Sequence, residues 1–516
     1  MSWLIRRSIS AGGTVSFAIL LCASVAAADF VNVRASGPTP FAANCNGAAQ
    51  SGTFYPNAEV EPYVSVNPQD QAHLVGVWQQ DRWSNGGAQG LLTGVSRDGG
   101  NTWTRTYAHF TRCSGGNKRN GGDYERASDP WVSFAPDGTV FQIALSFDDS
   151  DGNQAVLVSR SRDGGSAWSE PSVLQRDTTF EVGLDKESIT ADPNNSRFVY
   201  AVWDRLEGLT NPFVPANFRG PIWFSRTTNG GASWEKARKI FDPGPDAQTI
   251  GSIIVVLPNG DLVNMFTLVL EAGSNPNSPL FVAVMRSSDR GEHWSKPTIV
   301  NSLGTVFITD PETGEDVRTG DVLPTIAVDP SSGALYIVWQ DARFSGGKRD
   351  GIAFSRSDDG GRTWSHPLQI NKAKNVQAFT ASINVTDDGT IGVSYYDFRN
   401  DTPNRSTLLT STWLLVSADG GRTWRESRVA APFDMRTAPY AAGYFVGDYE
   451  GLSASLLPFF AKANSGNLAN RTDIFAAPSE DEQGDTVGDN NNAQAGSGQK
   501  STRERVKAHR EVHSDR

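Results

Sequence analysis

Only three of the 516 residues are cysteine, and histidine and methionine are almost as scarce, at six and four. So few thiols exclude a framework of several disulfides, and no pairing of Cys with His has the spacing of a structural zinc site. His73, His109, His293, His366, His509 and His513 stand singly, most near turns or close to the C-terminus, and give no support to a Ser-His-Asp hydrolase. No glycine-rich loop leads from a strand into a helix, which removes the phosphate-cradling motifs. Basic residues are also in deficit, 46 Lys and Arg against 57 Asp and Glu, for a formal net charge of -11. Nucleic acid needs a basic footprint and is therefore excluded as a partner. Helical periodicity is hard to find, and beyond the N-terminus no apolar run is long enough to cross a bilayer.

The two ends read differently from the middle. Arg6 and Arg7, an apolar stretch from Val15 to Cys22, and Ala26, Ala27 and Ala28 before Asp29 have the three-part form of a secretory signal, so residues 1–28 are read as a signal peptide. The twin arginine also fits the folded-export route, and the bulky Leu21 argues against lipoprotein processing at Cys22. A secreted or periplasmic protein, free of the membrane after cleavage, is expected. Cleavage leaves Cys45 and Cys113, which in an oxidising compartment either pair or stay as two free thiols. After about Pro478 apolar residues nearly vanish, and residues 479–516 are read as a disordered low-complexity tail.

Between these ends one phrase returns six times. SRDGGNTW at 96–103 is followed by SRDGGSAW at 161–168, TTNGGASW at 227–234, SSDRGEHW at 287–294, SDDGGRTW at 357–364 and SADGGRTW at 417–424, with first residues 65, 66, 60, 70 and 60 apart. The Asp or Asn can accept hydrogen bonds from its own turn, the glycines allow positive φ, and the Trp covers the turn. Six near-copies cannot all sit at one active centre, so the phrase is a structural lock of a repeat fold.

This S-x-D-x-G-x-x-W pattern resembles the Asp box, or bacterial neuraminidase repeat, of the sialidase superfamily. Paired runs of β-branched and aromatic residues lie between the copies: 61–68 with 74–78, 129–134 with 140–145, 186–191 with 198–203, 251–256 with 261–266, 323–328 with 334–339, 381–385 with 391–396, and a weaker 451–456 with 459–462. Asp-Pro, Asp-Gly and Asn-Gly turns break them, which is the signature of strands and hairpins. Each repeat reads as four antiparallel strands, one blade of an all-β β-propeller over residues 29–478. Counting gives seven blades, with six as the alternative because catalytic sialidase domains have six. The last blade would take its outer strand from the arm at 30–34, leaving no open edge.

The starts of first strands and the ends of second strands then share one rim, the usual place for a site. By position, the resemblance implies Asp81 as acid/base, Tyr449 as nucleophile, Glu187 or Glu450 as the base that activates it, and Arg82, Arg205, Arg343 and Arg399 as binders of a substrate carboxylate. Glu61 and Asp129 stand on the same rim as substrate-binding residues. Each Asp-Arg pair can equally be a salt bridge repeated because the blade is repeated. The sialidase motif Phe-Arg-Ile-Pro is matched only by Glu59, Val60, Glu61 and Pro62; the arginine is missing, and acids stand where a carboxylate would dock. A neutral or cationic glycan is the alternative substrate. No metal site is read; Ca²⁺ would suit clustered carboxylates, but no ligand spacing specifies it.

Two functions follow: a secreted sialidase-like glycoside hydrolase of exo-sialidase type acting on extracellular glycans, or a non-catalytic propeller binding carbohydrate or protein, a monomer in either case. The enzyme requires Tyr449, an Asp-Glu pair and at least two arginines around one pocket. The binding module requires carboxylates locked in local salt bridges.

Overall fold

The computed structural model describes residues 30–209, 218–272, 275 and 277–479. The expected signal segment and the expected tail from 480 onward lie outside the described residues. Within them the chain is almost wholly β-strand, and consecutive strands pair antiparallel in sets of four. The first set is Phe54–Asn67, Asp70–Trp83, Ala88–Ser96 and Thr104–Thr106. Further sets begin at Arg126–Phe134, Val182–Ala191, Ala247–Val256, Thr325–Val328 and Ala378–Val385. A last set runs Gly451–Leu452, Pro458–Ala463 and Thr472–Ala476, and its fourth strand is Val33–Arg34 from the opposite end of the chain, in register with Ala476 and Phe475. The otherwise open edge of Thr472–Ala476 is thereby covered.

No hydrogen-bonded sheet closes on itself among the described residues. Instead the first strand of each set packs against the first strand of the next, and Gly451–Leu452 touches both Ala378–Val385 and Phe54–Asn67, so the order of contacts returns to its start. This is a β-propeller-like fold.

The six recurring phrases form the turns before the fourth strands. In the sixth, Ser417 Oγ donates to Asp419 at 2.8 Å and accepts from the Gly421 amide at 2.9 Å, Asp419 accepts from the Thr423 amide at 2.9 Å, and the Trp424 indole donates to the Gly421 carbonyl at 3.1 Å. Thr227 and Asn229 make the same bonds in the third copy. The tryptophans then staple neighbouring sets. Trp294 packs edge-on to Phe224 with ring centroids 5.8 Å apart, Trp424 to Phe354 at 5.2 Å, and Trp103 lies 5.3 Å from Phe459 of the last set.

A second repeat is invisible in the sequence. Five first strands slip register at the same place, between Val60 and Tyr63, Ser128 and Trp131, Asp185 and Ser188, Ile250 and Ile253, and Phe379 and Ser382. In each bulge one residue takes positive φ: Glu61 at 54°, Asp129 at 49°, Lys186 at 49°, Gly251 at 72° and Thr380 at 50°. A bulge re-aims a side chain, and a non-glycine residue in this region costs about 1–3 kcal/mol. Three of the four non-glycine residues so strained, Glu61, Asp129 and Lys186, are charged, and all three face one cavity.

Candidate functional site

That cavity, of ≈ 790 Å³, opens at the bulges. Glu61, Asp129 and Lys186 come from the first three first strands, Arg82 from the end of the second strand of the first set, and Asp448 from just before the last set. Arg318 comes from the long connection after the fourth set, where Val317–Arg318 pairs in parallel with Tyr444–Phe445. Phe147, Ile250 and Phe307 add an apolar wall.

The charges are paired mainly with one another. Lys186 Nζ lies 2.9 Å from Asp129, 3.2 Å from Asp448 and 3.6 Å from Asp185. Arg318 grips Asp448 with two nitrogens, Nε at 2.8 Å. Glu61 accepts from the Gln79 side chain and, at 3.4 Å, from the Asp448 amide. Burial, with Asp129 beside it, pushes the Glu61 carboxyl up to about 8 despite Lys186. Burial would also raise Asp448, but Lys186 and Arg318 hold it well below the usual carboxylate range. The two acids thus carry different protonation states at neutral pH, the pattern that separates an acid from a permanent anion.

A smaller space of ≈ 30 Å³, lined by Trp131, Glu187 and Tyr449, shares Asp129, Lys186 and Leu323 with the cavity. Tyr449 is only 7% exposed, its ring 5.4 Å from that of Trp131, which in turn stacks on Tyr63 at 3.5 Å. Burial and the neighbouring Glu61, Asp129 and Glu187 raise the phenol well above its ordinary value. Both carboxylate oxygens of Glu187 are buried without a hydrogen-bond partner, and burial followed by Asp129 raises this group too.

Of the residues singled out in the sequence, Glu61, Arg82, Asp129, Glu187 and Tyr449 thus gather around the cavity and the space behind it. The others stand elsewhere. Asp81 lines neither; it accepts from Thr39 Oγ1 and, at 2.7 Å, from the Asn57 amide. Glu450 is buried just before the last set and lines neither. Arg205 pairs with Asp177 at 2.8 Å and with Glu207, Arg343 with Asp341 at 2.7 Å, and Arg399 with Asp397 and Glu426 while lying 3.6 Å over the Trp413 ring. These three arginines tie strands within and between sets. Sequence reasoning missed Lys186 and Arg318 altogether. Arg318 sits in the widest interval between phrases, 70 residues, and that excess length was the signal of an insertion.

Among the described residues no group of three or more His, Cys, Asp and Glu could hold a metal ion, and no helix is long and apolar enough to cross a membrane. Cys45 and Cys113 form a disulfide that closes a separation of 68 residues.

No family model matches the chain. A sialidase of Micromonospora viridifaciens is 24% identical over 338 residues, covering 59% of this chain and 46% of that protein. A sialidase of Bacteroides fragilis (strain YCH46) is 25% identical over 289 residues, covering 52% of this chain and 48% of that protein. The chain therefore spans about half the length of the curated relatives it matches. Among solved structures, the Hadza microbial sialidase Hz136 is similar with a TM-score of 0.46 and 15% identity over 79% of this chain and 73% of that one.

Proposed function

Because the chain belongs to the sialidase-like superfamily, we propose that it is an exported, monomeric glycoside hydrolase of seven four-stranded blades that works by the tyrosine chemistry of an exo-sialidase. The observation that carries this reading is the meeting of Tyr449 and Glu187 in one space that shares Asp129 and Lys186 with the charged cavity. In this scheme the ionised form of Glu187, made more basic by its burial, accepts the phenolic proton, Tyr449 Oη attacks the anomeric carbon, and the leaving oxygen takes a proton from Glu61. Water then hydrolyses the glycosyl-tyrosine, Glu61 taking its proton as base and Glu187 returning one to the departing Tyr449 oxygen. Glu61 suits the acid role better than Asp81, since it lines the cavity and stays protonated up to about 8. The disulfide supports an oxidising destination.

The test is turnover of fluorogenic glycosides by the wild type, Tyr449→Phe and Glu187→Gln, each checked for retained fold by circular dichroism. Each substitution is expected to lower kcat by about a hundredfold or more. Wild-type rates in the Tyr449→Phe protein would sink the scheme. One observation favours a second reading: Tyr449 is 7% exposed and its space is ≈ 30 Å³, room for about one water. A non-catalytic glycan-binding propeller would keep its tyrosine so enclosed, and would show saturable binding without turnover.

A further inference from the structure

We infer that the large cavity takes an uncharged sugar and turns away carboxylate-bearing ones, with Phe307 as the surface on which the sugar ring lies. The inference rests on reading the cavity as a glycan site and goes further by naming the substrate class.

A substrate carboxylate is held by cations free to give it two parallel hydrogen bonds. Here such cations are already engaged. Lys186 serves Asp129, Asp448 and Asp185, and both bonding nitrogens of Arg318 are on Asp448. Arg82 is 2% exposed, donates from Nη1 to Gln79 at 3.1 Å and lies 5.1 Å over the Phe445 ring. Its Nε is buried without a partner, and the neighbouring Asp448 and Asp129 already oppose the guanidinium charge, so a substrate carboxylate would compete with the site's own acids for it. The lining also holds more acids than bases. Even with Glu61 protonated, Asp129, Asp185, Asp316, Asp321 and Asp448 face three cations, so an incoming anion meets like charge or must displace Asp448 from Arg318. Carboxylates are acceptors, and the hydroxyls of an uncharged sugar are donors that match them.

Phe307 supplies the other half of the recognition. It is 87% exposed, the most exposed of the large hydrophobic side chains among the described residues, yet it lines the same cavity as Phe147 and Ile250. An apolar ring held in water at the edge of a polar cavity offers a face for the C–H side of a sugar.

The experiment uses the full chain and matched 4-methylumbelliferyl glycosides. The α-N-acetylneuraminide and β-glucuronide form the anionic arm; the β-galactoside, β-glucoside and α-arabinofuranoside form the uncharged arm. One uncharged glycoside is expected to exceed both anionic ones in kcat/KM by about 100-fold. Phe307→Ala is expected to raise KM for that glycoside about tenfold with kcat unchanged. In parallel, saturation-transfer NMR reads binding of the corresponding methyl glycosides to the Tyr449→Phe protein. Preference for the anionic arm, in rate or in binding, overturns the inference while leaving the glycosidase reading intact. Binding of uncharged sugars without any turnover supports the inference and removes the glycosidase reading. Binding of neither arm overturns both, and an unchanged KM in Phe307→Ala overturns the role given to that ring.

Discussion

Lys186 holds three carboxylates within reach of one ammonium, and its own backbone is strained to do so, with φ at 49°. Removing the charge leaves Asp129 and Asp448 facing each other in a buried setting. Breaking a buried ion pair from one side costs about 3–5 kcal/mol, so Lys186→Met should lower unfolding free energy by about 3 kcal/mol or more in chemical denaturation. The Lys186→Met, Asp129→Asn double variant should lose less than the sum of the two single changes, because each removes part of the other's penalty. Strict additivity would mean that the pair is not coupled. The same residue scale separates Arg318 from Arg205, Arg343 and Arg399. All four are paired, yet only Arg318 meets its carboxylate at the cavity.

At the scale of elements, the recurring turns are small machines of side-chain to backbone bonding. Ser417 is buried and bonds to both Asp419 and the Gly421 amide, so Ser417→Ala should cost about 1 kcal/mol. Gly421→Ala should cost more, about 2 kcal/mol or above, since φ is +85° there and the new methyl would stand 2.4 Å from the Phe354 ring. Differential scanning calorimetry of the two variants ranks them, and the reverse order would refute this account of the turn. The Cys45–Cys113 bond closes a separation of 68 residues and pins the N-terminal arm, whose Val33–Arg34 strand completes the last set. Loop-closure entropy gives such a link roughly 4 kcal/mol, so reduction or Cys45→Ser with Cys113→Ser should lower the unfolding midpoint markedly. An unchanged midpoint under reductant would show that the arm holds without it.

For the molecule as a whole, buried carboxyls set the response to pH. Burial raises Glu61, Asp204 and Glu450 to about 8 in the folded chain, against ordinary values of about 4 when unfolded. The folded state therefore binds more protons between these limits. The stability these groups confer is fully present below about pH 4 and is lost as pH rises through about 8. The turn aspartates act in the opposite sense. Asp359, which burial by itself would raise, is held down to about 2 by the combined bonds from Thr363 and Ser357; it stabilises above the unfolded value and fails only as pH falls toward 2. Together they predict a maximum of thermal stability on the mildly acid side, near about pH 5, and a lower midpoint at about pH 8. A midpoint that climbs steadily from pH 5 to 8 would contradict the buried state of these acids.

The sequence by itself determined what depends on neighbours within a few residues. Each turn is bonded within eight residues, and each strand alternates or runs apolar over a similar length, so the repeat, the all-β class and the outer strand at 30–34 could be read directly. The rim could be read too, since strand direction follows from strand order, and Glu61, Asp129, Glu187 and Tyr449 were found on it. Only the tertiary structure decided which rim residues face one another. Arg318 meets Asp448 across 130 residues of chain and Lys186 meets Asp129 across 57, separations at which no local pattern constrains the pairing. The bulges did the rest: one extra residue in a first strand turns Lys186 inward, whereas Asp81, one position from Arg82, turns away into hydrogen bonds with Thr39 and Asn57. A slip of a single residue reverses the face that a strand side chain presents, and composition carries no trace of it.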